Sequence, residues 1–325
     1  MNHKLNRTVL KKSAQFLLSA LVLTTSPATT QAGVEKSILA APPIEGRWDL
    51  TIDVDGKASP SWLEVRHSGH SMLIGQFTGI SGSARPISRV YFNEGKFTFA
   101  IPPQWEKGTE NMKVEGSVNG DKLTGTLTTS EGKTYNWKGV RAPSLKRTIA
   151  PAWGKPVTLF NGKDLTGWRA EGPNQWIVKD GVLESPKSGS NLVTDTKYDD
   201  FKLHIEFRIP KGSNSGVYLR GRYEVQVTDS KGMEPELDQM GAVYGFIKPS
   251  EMVAKEAGEW NTLDITLVGR MITLVANGKP VITNQEIPGI TGGAIDSNEG
   301  EPGPLLIQGD HGPVEYRNIV ITPAK

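Results

Sequence analysis

The sequence predicts an all-β protein, a small antiparallel β-barrel or sandwich followed by a larger jelly-roll sandwich. Three observations predict it. Thirty-six Gly and 21 Pro punctuate 325 residues in which Ala/Leu/Glu/Lys helix blocks are scarce. Apolar and polar residues alternate with period two in short runs, as half-buried strands require. Turn residues separate these runs at intervals of about ten residues, the spacing of sandwiches and barrels.

Composition narrows the function. With 37 Lys+Arg against 35 Asp+Glu the net charge is +2, without the basic stripe that nucleic-acid binding requires. A hydrophobic content of 37% is too high for a disordered chain. The absence of cysteine excludes a disulfide framework, a thiolate metal site and a cysteine nucleophile.

Residues 1–12 carry Lys4, Arg7, Lys11 and Lys12 and no acid, and an apolar run from Phe16 to Leu23 leads to Thr30-Gln31-Ala32. These are the parts of a secretory signal peptide, expected over residues 1–32 with cleavage near Ala32. The apolar run is well short of the ~20 residues that a bilayer span needs. The expectation is an exported, periplasmic or extracellular protein with no membrane partner after cleavage. Residues 33–43 read as a small-residue and proline linker.

Residues 44–140 hold the first domain. Runs such as Gly46-Arg47-Trp48-Asp49-Leu50-Thr51-Ile52 and Lys96-Phe97-Thr98-Phe99-Ala100-Ile101 alternate, and Asn119-Gly120 marks a hairpin. The Gly46-Arg47-Trp48 opening is similar to that of lipocalin-like barrels. This domain is expected to fold independently, to play no catalytic role, and to bury Trp48, Trp62, Trp105 and Trp137. Residues 141–156, with Pro143 and Pro151, read as a second linker. About 165 further residues of strand and turn, 157–323, fit a two-sheet jelly roll better than another small barrel. Only residues 249–257 lean towards a helix.

Chemistry concentrates in the second domain. In residues 201–209 the odd positions are Phe, Leu, Ile, Phe and Ile, while the even ones include His204, Glu206 and Arg208. After a turn, residues 217–228 read as one strand, with Tyr218, Arg220, Arg222, Glu224 and Gln226 on one face. Paired as a hairpin, the two runs would join these polar residues into one patch; alternatively each is an ordinary solvated face. Gln308, Asp310 and His311 end another strand, and a histidine between glycines can serve as acid, base or ligand. No H-E-x-x-H, P-loop, G-x-G-x-x-G before a helix, or G-x-S-x-G occurs. Asp53-Val54-Asp55-Gly56 lacks the rest of an EF-hand loop.

Residues 157–323 resemble the 3-keto-disaccharide hydrolase family, whose fold is related to concanavalin-like lectins and glucanases. The resemblance rests on Phe160-Asn161-Gly162-Lys163-Asp164-Leu165-Thr166-Gly167-Trp168, Trp176-Ile177-Val178-Lys179-Asp180-Gly181, Asn214-Ser215-Gly216-Val217, Tyr223-Glu224-Val225-Gln226-Val227, Gly241-Ala242-Val243-Tyr244-Gly245, Gly258-Glu259-Trp260-Asn261 and Gln308-Gly309-Asp310-His311-Gly312. Many members read L-Q-D-H-G in the last motif; the additional Gly309 leaves the aim of Asp310 open. The resemblance does not cover residues 44–140.

The resemblance implies a concave, sugar-binding sheet with hydrolase or lyase action on 3-keto-glycosides. It assigns Glu206, Glu224 and His311 to catalysis, and Asn214, Arg220, Gln226, Tyr244 and Gln308 to substrate binding. A ketone at C3 acidifies the C2 proton, so the site needs a base, a stabiliser for the C3 enolate and an acid for the leaving oxygen. Glu224, between Arg222 and Gln226, is expected to be an ionised base or metal ligand, and His311 an acid or metal ligand. Arg220 or a divalent cation would hold the enolate, with His204, Glu206 and His311 as ligands of N/O type. Trp168 and Trp176 are expected in the core, with Trp260 open to sugar stacking. Two other classes compete, a non-catalytic carbohydrate-binding protein and a glucanase-type glycosidase. The latter wants two carboxylates flanking the bond, and Glu206 and Glu224 lie on different runs.

Overall fold

The computed structural model describes residues 42–325; the signal-peptide assignment and nearly all of the 33–43 linker lie outside the described residues. Among the described residues every regular element is a strand, and residues 249–257 are irregular.

The first eight strands are β1 (Gly46–Val54), β2 (Lys57–Ser68), β3 (Met72–Thr78), β4 (Arg85–Asn93), β5 (Lys96–Ile101), β6 (Met112–Asn119), β7 (Lys122–Thr128) and β8 (Thr134–Arg141). They pair in sequence order, and β1 closes on β8 to make a barrel without edges. Their alternate residues, among them Trp48, Leu50, Ile52, Phe77, Phe97 and Phe99, fill the interior. Trp137 is buried as expected, but Trp105 is 47% exposed, because it lies on the β5–β6 connection rather than on a strand.

The remaining strands are β9 (Val157–Thr158), β10 (Trp168–Ala170), β11 (Ile177–Lys179), β12 (Val182–Ser185), β13 (Leu192–Tyr198), β14 (Phe201–Arg208), β15 (Asn214–Leu219), β16 (Tyr223–Thr228), β17 (Asn261–Val268), β18 (Met271–Ala276), β19 (Lys279–Glu286), β20 (Gly303–Ile307) and β21 (Val314–Pro323). They form a five-stranded sheet, β10-β13-β20-β15-β16, and a larger sheet, β11-β12-β21-β14-β17-β18-β19, with β9 against β21. The apolar faces of the two sheets, Val217, Leu219, Val225 and Val227 on one and Leu203, Ile205, Phe207 and Leu263 on the other, share one core. Trp168 and Trp176 are buried in it.

Two expectations change here. The runs containing Glu206 and Glu224 are not a hairpin: β14 pairs with β17 and β21, whereas β15 pairs with β16 and β20. The five residues between β14 and β15 carry the chain from one sheet to the other. Residues 217–228 are not one strand either. Arg220 and Gly221 have φ of 52° and 65°, which reverses the chain and sets Tyr218 opposite Glu224 and Gly216 opposite Gln226.

The barrel is not an independent module. Its Trp62 belongs to the sandwich core, edge-on to Phe246 with ring centroids 5.3 Å apart. The β19–β20 connection, residues 287–302, is stitched to it. A Cβ on Gly289 would lie 2.1 Å from Trp62 Nε1, Thr78 donates to the Ile290 carbonyl, and Ser297 donates to the Leu50 carbonyl. The 141–156 segment is docked too, with Arg147 paired to Asp199 and Asp200.

Candidate functional site

The outward face of β15 and β16 is covered rather than solvated. Both strands are buried on both sides, apart from one residue in each, because the 238–245 segment, the 287–302 connection and the barrel close over them. Between them lies a cavity of about 500 Å³, within the ~300–1,000 Å³ usual for small-molecule sites. Asn214 and Tyr218 from β15, Glu224 and Gln226 from β16, Gln308, Asp310 and His311 from the β20–β21 loop, and Tyr244 line it. Thr228, Asp238, Gln239, Gly292, Gly293 and the barrel residues Ile80, Ser81 and Gly82 complete the wall.

Glu224 is 3% exposed. Burial pushes its carboxyl up to about 8, against the pull of the Tyr218 hydroxyl and of His311. The expected ionised carboxylate held by cations is therefore corrected. Arg222 faces away, forked on Asp296 at 2.7 and 3.1 Å with a further bond to the Glu301 carbonyl. Gly216 makes the space for Glu224, since a Cβ there would lie 2.3 Å from Glu224 Oε1.

Tyr218 Oη lies 2.9 Å from Glu224 Oε2 and 3.0 Å from the Gly292 carbonyl. Tyr218 has one phenol hydrogen for these two acceptors. A protonated Glu224 that donates to Tyr218 frees that hydrogen for the Gly292 carbonyl and satisfies both contacts. The geometry thus accommodates the protonated carboxyl that the raised proton affinity favours.

On the β20–β21 loop, His311 Nδ1 lies 2.6 Å from Asp310 Oδ1. This bond raises the imidazole's proton affinity, partly opposed by burial, and holds the Asp310 carboxyl below its usual range. The additional glycine thus aims Asp310 at His311. Gly309 fits because a Cβ would lie 2.3 Å from the Ser190 carbonyl; its N–H donates to Asn191 and its carbonyl accepts from Gly189. Two buried amide oxygens, Gln226 Oε1 and Gln308 Oε1, have no hydrogen-bond partner. Such acceptors on a cavity wall are open to a donor hydroxyl or to water.

Other predicted residues fall elsewhere. Glu206 lies on the outer face of the larger sheet. It accepts from Arg317 and Asn318 at 2.7 Å each, and these bonds hold its carboxyl below the usual range although partial burial opposes them. His204 sits beside it, 2.7 Å from Asp264. Arg220 is fully buried at the β15–β16 turn, bonded to Asp199, Tyr223 and the Gly269 carbonyl, so it cannot hold an enolate in the cavity. Trp260 lies between the guanidinium groups of Arg208 and Arg317 on that same outer face. The cation ligand set His204, Glu206 and His311 is divided between the two sheets. Among the described residues no group of three or more His, Asp and Glu side chains is placed to hold a metal ion. Alternation puts Tyr218 on the polar face without giving it a role, and the sequence does not reveal Gly216 or the barrel residues as parts of the site; the pairing of Tyr218 with Glu224 follows once the Arg220-Gly221 turn is recognised.

Residues 155–322 match the 3-keto-alpha-glucoside-1,2-lyase-like domain. The chain belongs to this family. Among curated proteins it is similar to a 3-keto-disaccharide hydrolase of Bacteroides thetaiotaomicron, 28% identical over 34% of this chain and 51% of the relative. The chain thus spans about half the length of that relative. Two crystal structures from Parabacteroides distasonis, both of provisionally named glycosyl hydrolases, are also similar. One is 23% identical with a TM-score of 0.45, covering 52% of this chain and 94% of the other. The second is 26% identical with a TM-score of 0.44, covering 56% and 96%.

Proposed function

We propose that this protein is an exported enzyme that cleaves 3-keto-glycosides by C2 deprotonation and elimination. The observation that carries the reading is the buried Glu224 and the Asp310–His311 pair lining one cavity with two unpartnered amide acceptors. Family membership supports the substrate class, and the basic and apolar amino-terminal pattern supports export.

Glu224 acts as base in its ionised form, and a carboxylate whose proton affinity is raised to about 8 is a stronger base than an ordinary one. It removes the C2 proton, and the electron pair moves onto the C3 oxygen as an enolate. Collapse of the enolate forms the C1=C2 double bond and expels the aglycone oxygen, which takes a proton from the His311 imidazolium. Release at this stage is lyase action; water addition across the double bond gives the free 3-keto sugar and makes the reaction a net hydrolysis. Amide donors of Asn214 and Gln308, in place of Arg220, stabilise the enolate.

The test is turnover by purified protein of a glucoside beside its 3-keto derivative. Turnover of the keto sugar alone is expected. Cleavage of the plain glucoside would favour glucanase-type chemistry, and binding without turnover would reduce the site to a carbohydrate-binding one.

A further inference from the structure

The matched family domain begins at residue 155, yet one wall of the cavity comes from the barrel. The β3–β4 loop supplies Ile80, Ser81 and Gly82 to the same cavity as Glu224 and His311. Its seating is too close to be incidental. A Cβ on Gly292 would lie 2.0 Å from the Gly82 carbonyl, and one on Gly245, where φ is 73°, would lie 2.7 Å from Ser83 Cβ. Behind the loop stands Trp105, whose ring a Cβ on Gly82 would meet at 2.2 Å. The Arg85 guanidinium lies 4.8 Å from the Trp105 ring centroid and pairs with Glu106 at 2.6 Å. Glu106 in turn accepts from the Gln104 and Trp105 backbone N–H groups. The wall is braced before any ligand arrives.

The wall differs in chemistry from the rest of the cavity. Ile80, Ser81 and Gly82 carry no charge, whereas the β15–β16 face, Asp238 and Gln239 of the 238–245 segment, and the His311 loop carry the carboxyls, amides and imidazole. We propose that the barrel loop is the aglycone-side wall and determines specificity there, accepting an uncharged leaving group with a C–H-rich face packed on Ile80. This rests on the 3-keto-glycoside reading; it places recognition of the leaving group in a part of the chain outside the family domain.

The test compares wild type with Ile80→Ala and Ser81→Trp, in the full chain, on 3-keto-glucosides bearing methyl, glucosyl or aryl aglycones. Pocket contacts are worth about tenfold or more per lost methylene in favourable cases. The kcat/KM ratio of glucosyl or aryl to methyl substrate should therefore fall about tenfold or more in each variant. Whichever large aglycone loses more identifies whether a sugar or an aryl face is the better fit. Because Ser81 is exposed, its variant retains the fold even if Ile80→Ala does not, and melting temperature checks both. An unchanged ratio, or equal losses on all three aglycones, overturns the proposal. If wild type turns over none of the keto substrates, the functional reading fails separately. The wall is then read by calorimetric affinity for the three plain glucosides, whose order must still change in the variants.

Discussion

Replacing Tyr218 with Phe removes one oxygen from the cavity and tests the proton chain on which the site depends. In the protonated site the Glu224 carboxyl donates to Tyr218, and Tyr218 to the Gly292 carbonyl, over 2.9 and 3.0 Å. On ionisation the phenol turns its hydrogen to the carboxylate. Without the hydroxyl, the ionised form loses this donor in a place nearly closed to water. A hydrogen bond to a charged group is worth ~1.5–3 kcal/mol, and one pKa unit is ~1.4 kcal/mol. The proton affinity of Glu224 should therefore rise by about one to two units above its value of about 8. A base of that strength is about one-tenth ionised at neutral pH, and after a shift of one unit about one-hundredth. Turnover of a 3-keto-glucoside at neutral pH should fall about ten- to hundredfold and recover as pH is raised. The assay is kcat/KM against pH for wild type and Tyr218→Phe. The protonation of His311 enters both profiles alike, so the ratio of wild type to variant should be largest below the range in which Glu224 ionises and shrink as pH is raised through it. A loss that is the same at every pH refutes the proton chain.

Glu224→Gln and His311→Ala should each lower turnover of a 3-keto-glucoside by at least about a hundredfold, the lower bound for a positioned acid or base, with melting temperatures near wild type. Glu206→Gln, by contrast, should leave kcat/KM within about twofold and cost about 1 kcal/mol or less, since its partners Arg317 and Asn318 form a partly exposed cluster outside the cavity; a catalytic loss would return Glu206 to the mechanism. Asp49 of the barrel is raised from 3.8 to about 8 by burial and by Glu299 of the sandwich. The folded state therefore holds a proton that the unfolded chain has released, and stability should decline as pH rises through that window. Thermal melts across it should show the decline in wild type and a weaker one in Asp49→Asn; parallel curves would exclude Asp49 as its source.

The strands were legible because their alternation is local. Phe201, Leu203, Ile205 and Phe207 are in the core and Lys202, His204, Glu206 and Arg208 face out, as period two requires. Which strand pairs with which was not legible. A five-residue connection closes a hairpin as readily as it crosses between two sheets, and nothing in Ile209-Pro210-Lys211-Gly212-Ser213 selects one. Alternation alone therefore puts Glu206 and Glu224 in one patch, whereas they occupy different sheets. Arg220 departs from alternation for another reason: a non-glycine residue at positive φ carries a weak sequence signal, and the period-two pattern runs on through it. Glu224, Gln226, Tyr244, Gln308 and His311 came from family motifs, which encode the outcome of tertiary folding that periodicity does not.

The raised proton affinity of Glu224 is not a property of β16 alone. A strand face with a glutamate between polar neighbours is ordinarily wet, and a wet carboxylate is ionised at neutral pH. What dries this face is the cover over it, and the cover is assembled from distant sequence. Arg222 forks onto Asp296 and accepts from the Thr291 backbone N–H through its own carbonyl, which holds the 287–302 connection down on the sheet. That connection delivers the Gly292 carbonyl to Tyr218 and is itself pinned by Thr78, Leu50 and Trp62 of the barrel. Arg222, expected to act on Glu224 as a neighbouring charge, acts instead by keeping water away from it. The barrel contributes to the same result through Gly82, which packs directly against Gly292 of that connection. Desolvation is the largest influence on Glu224, so its proton affinity is set by how these parts close together, and under the proposed mechanism the amino-terminal barrel belongs to the chemistry as well as to the fold.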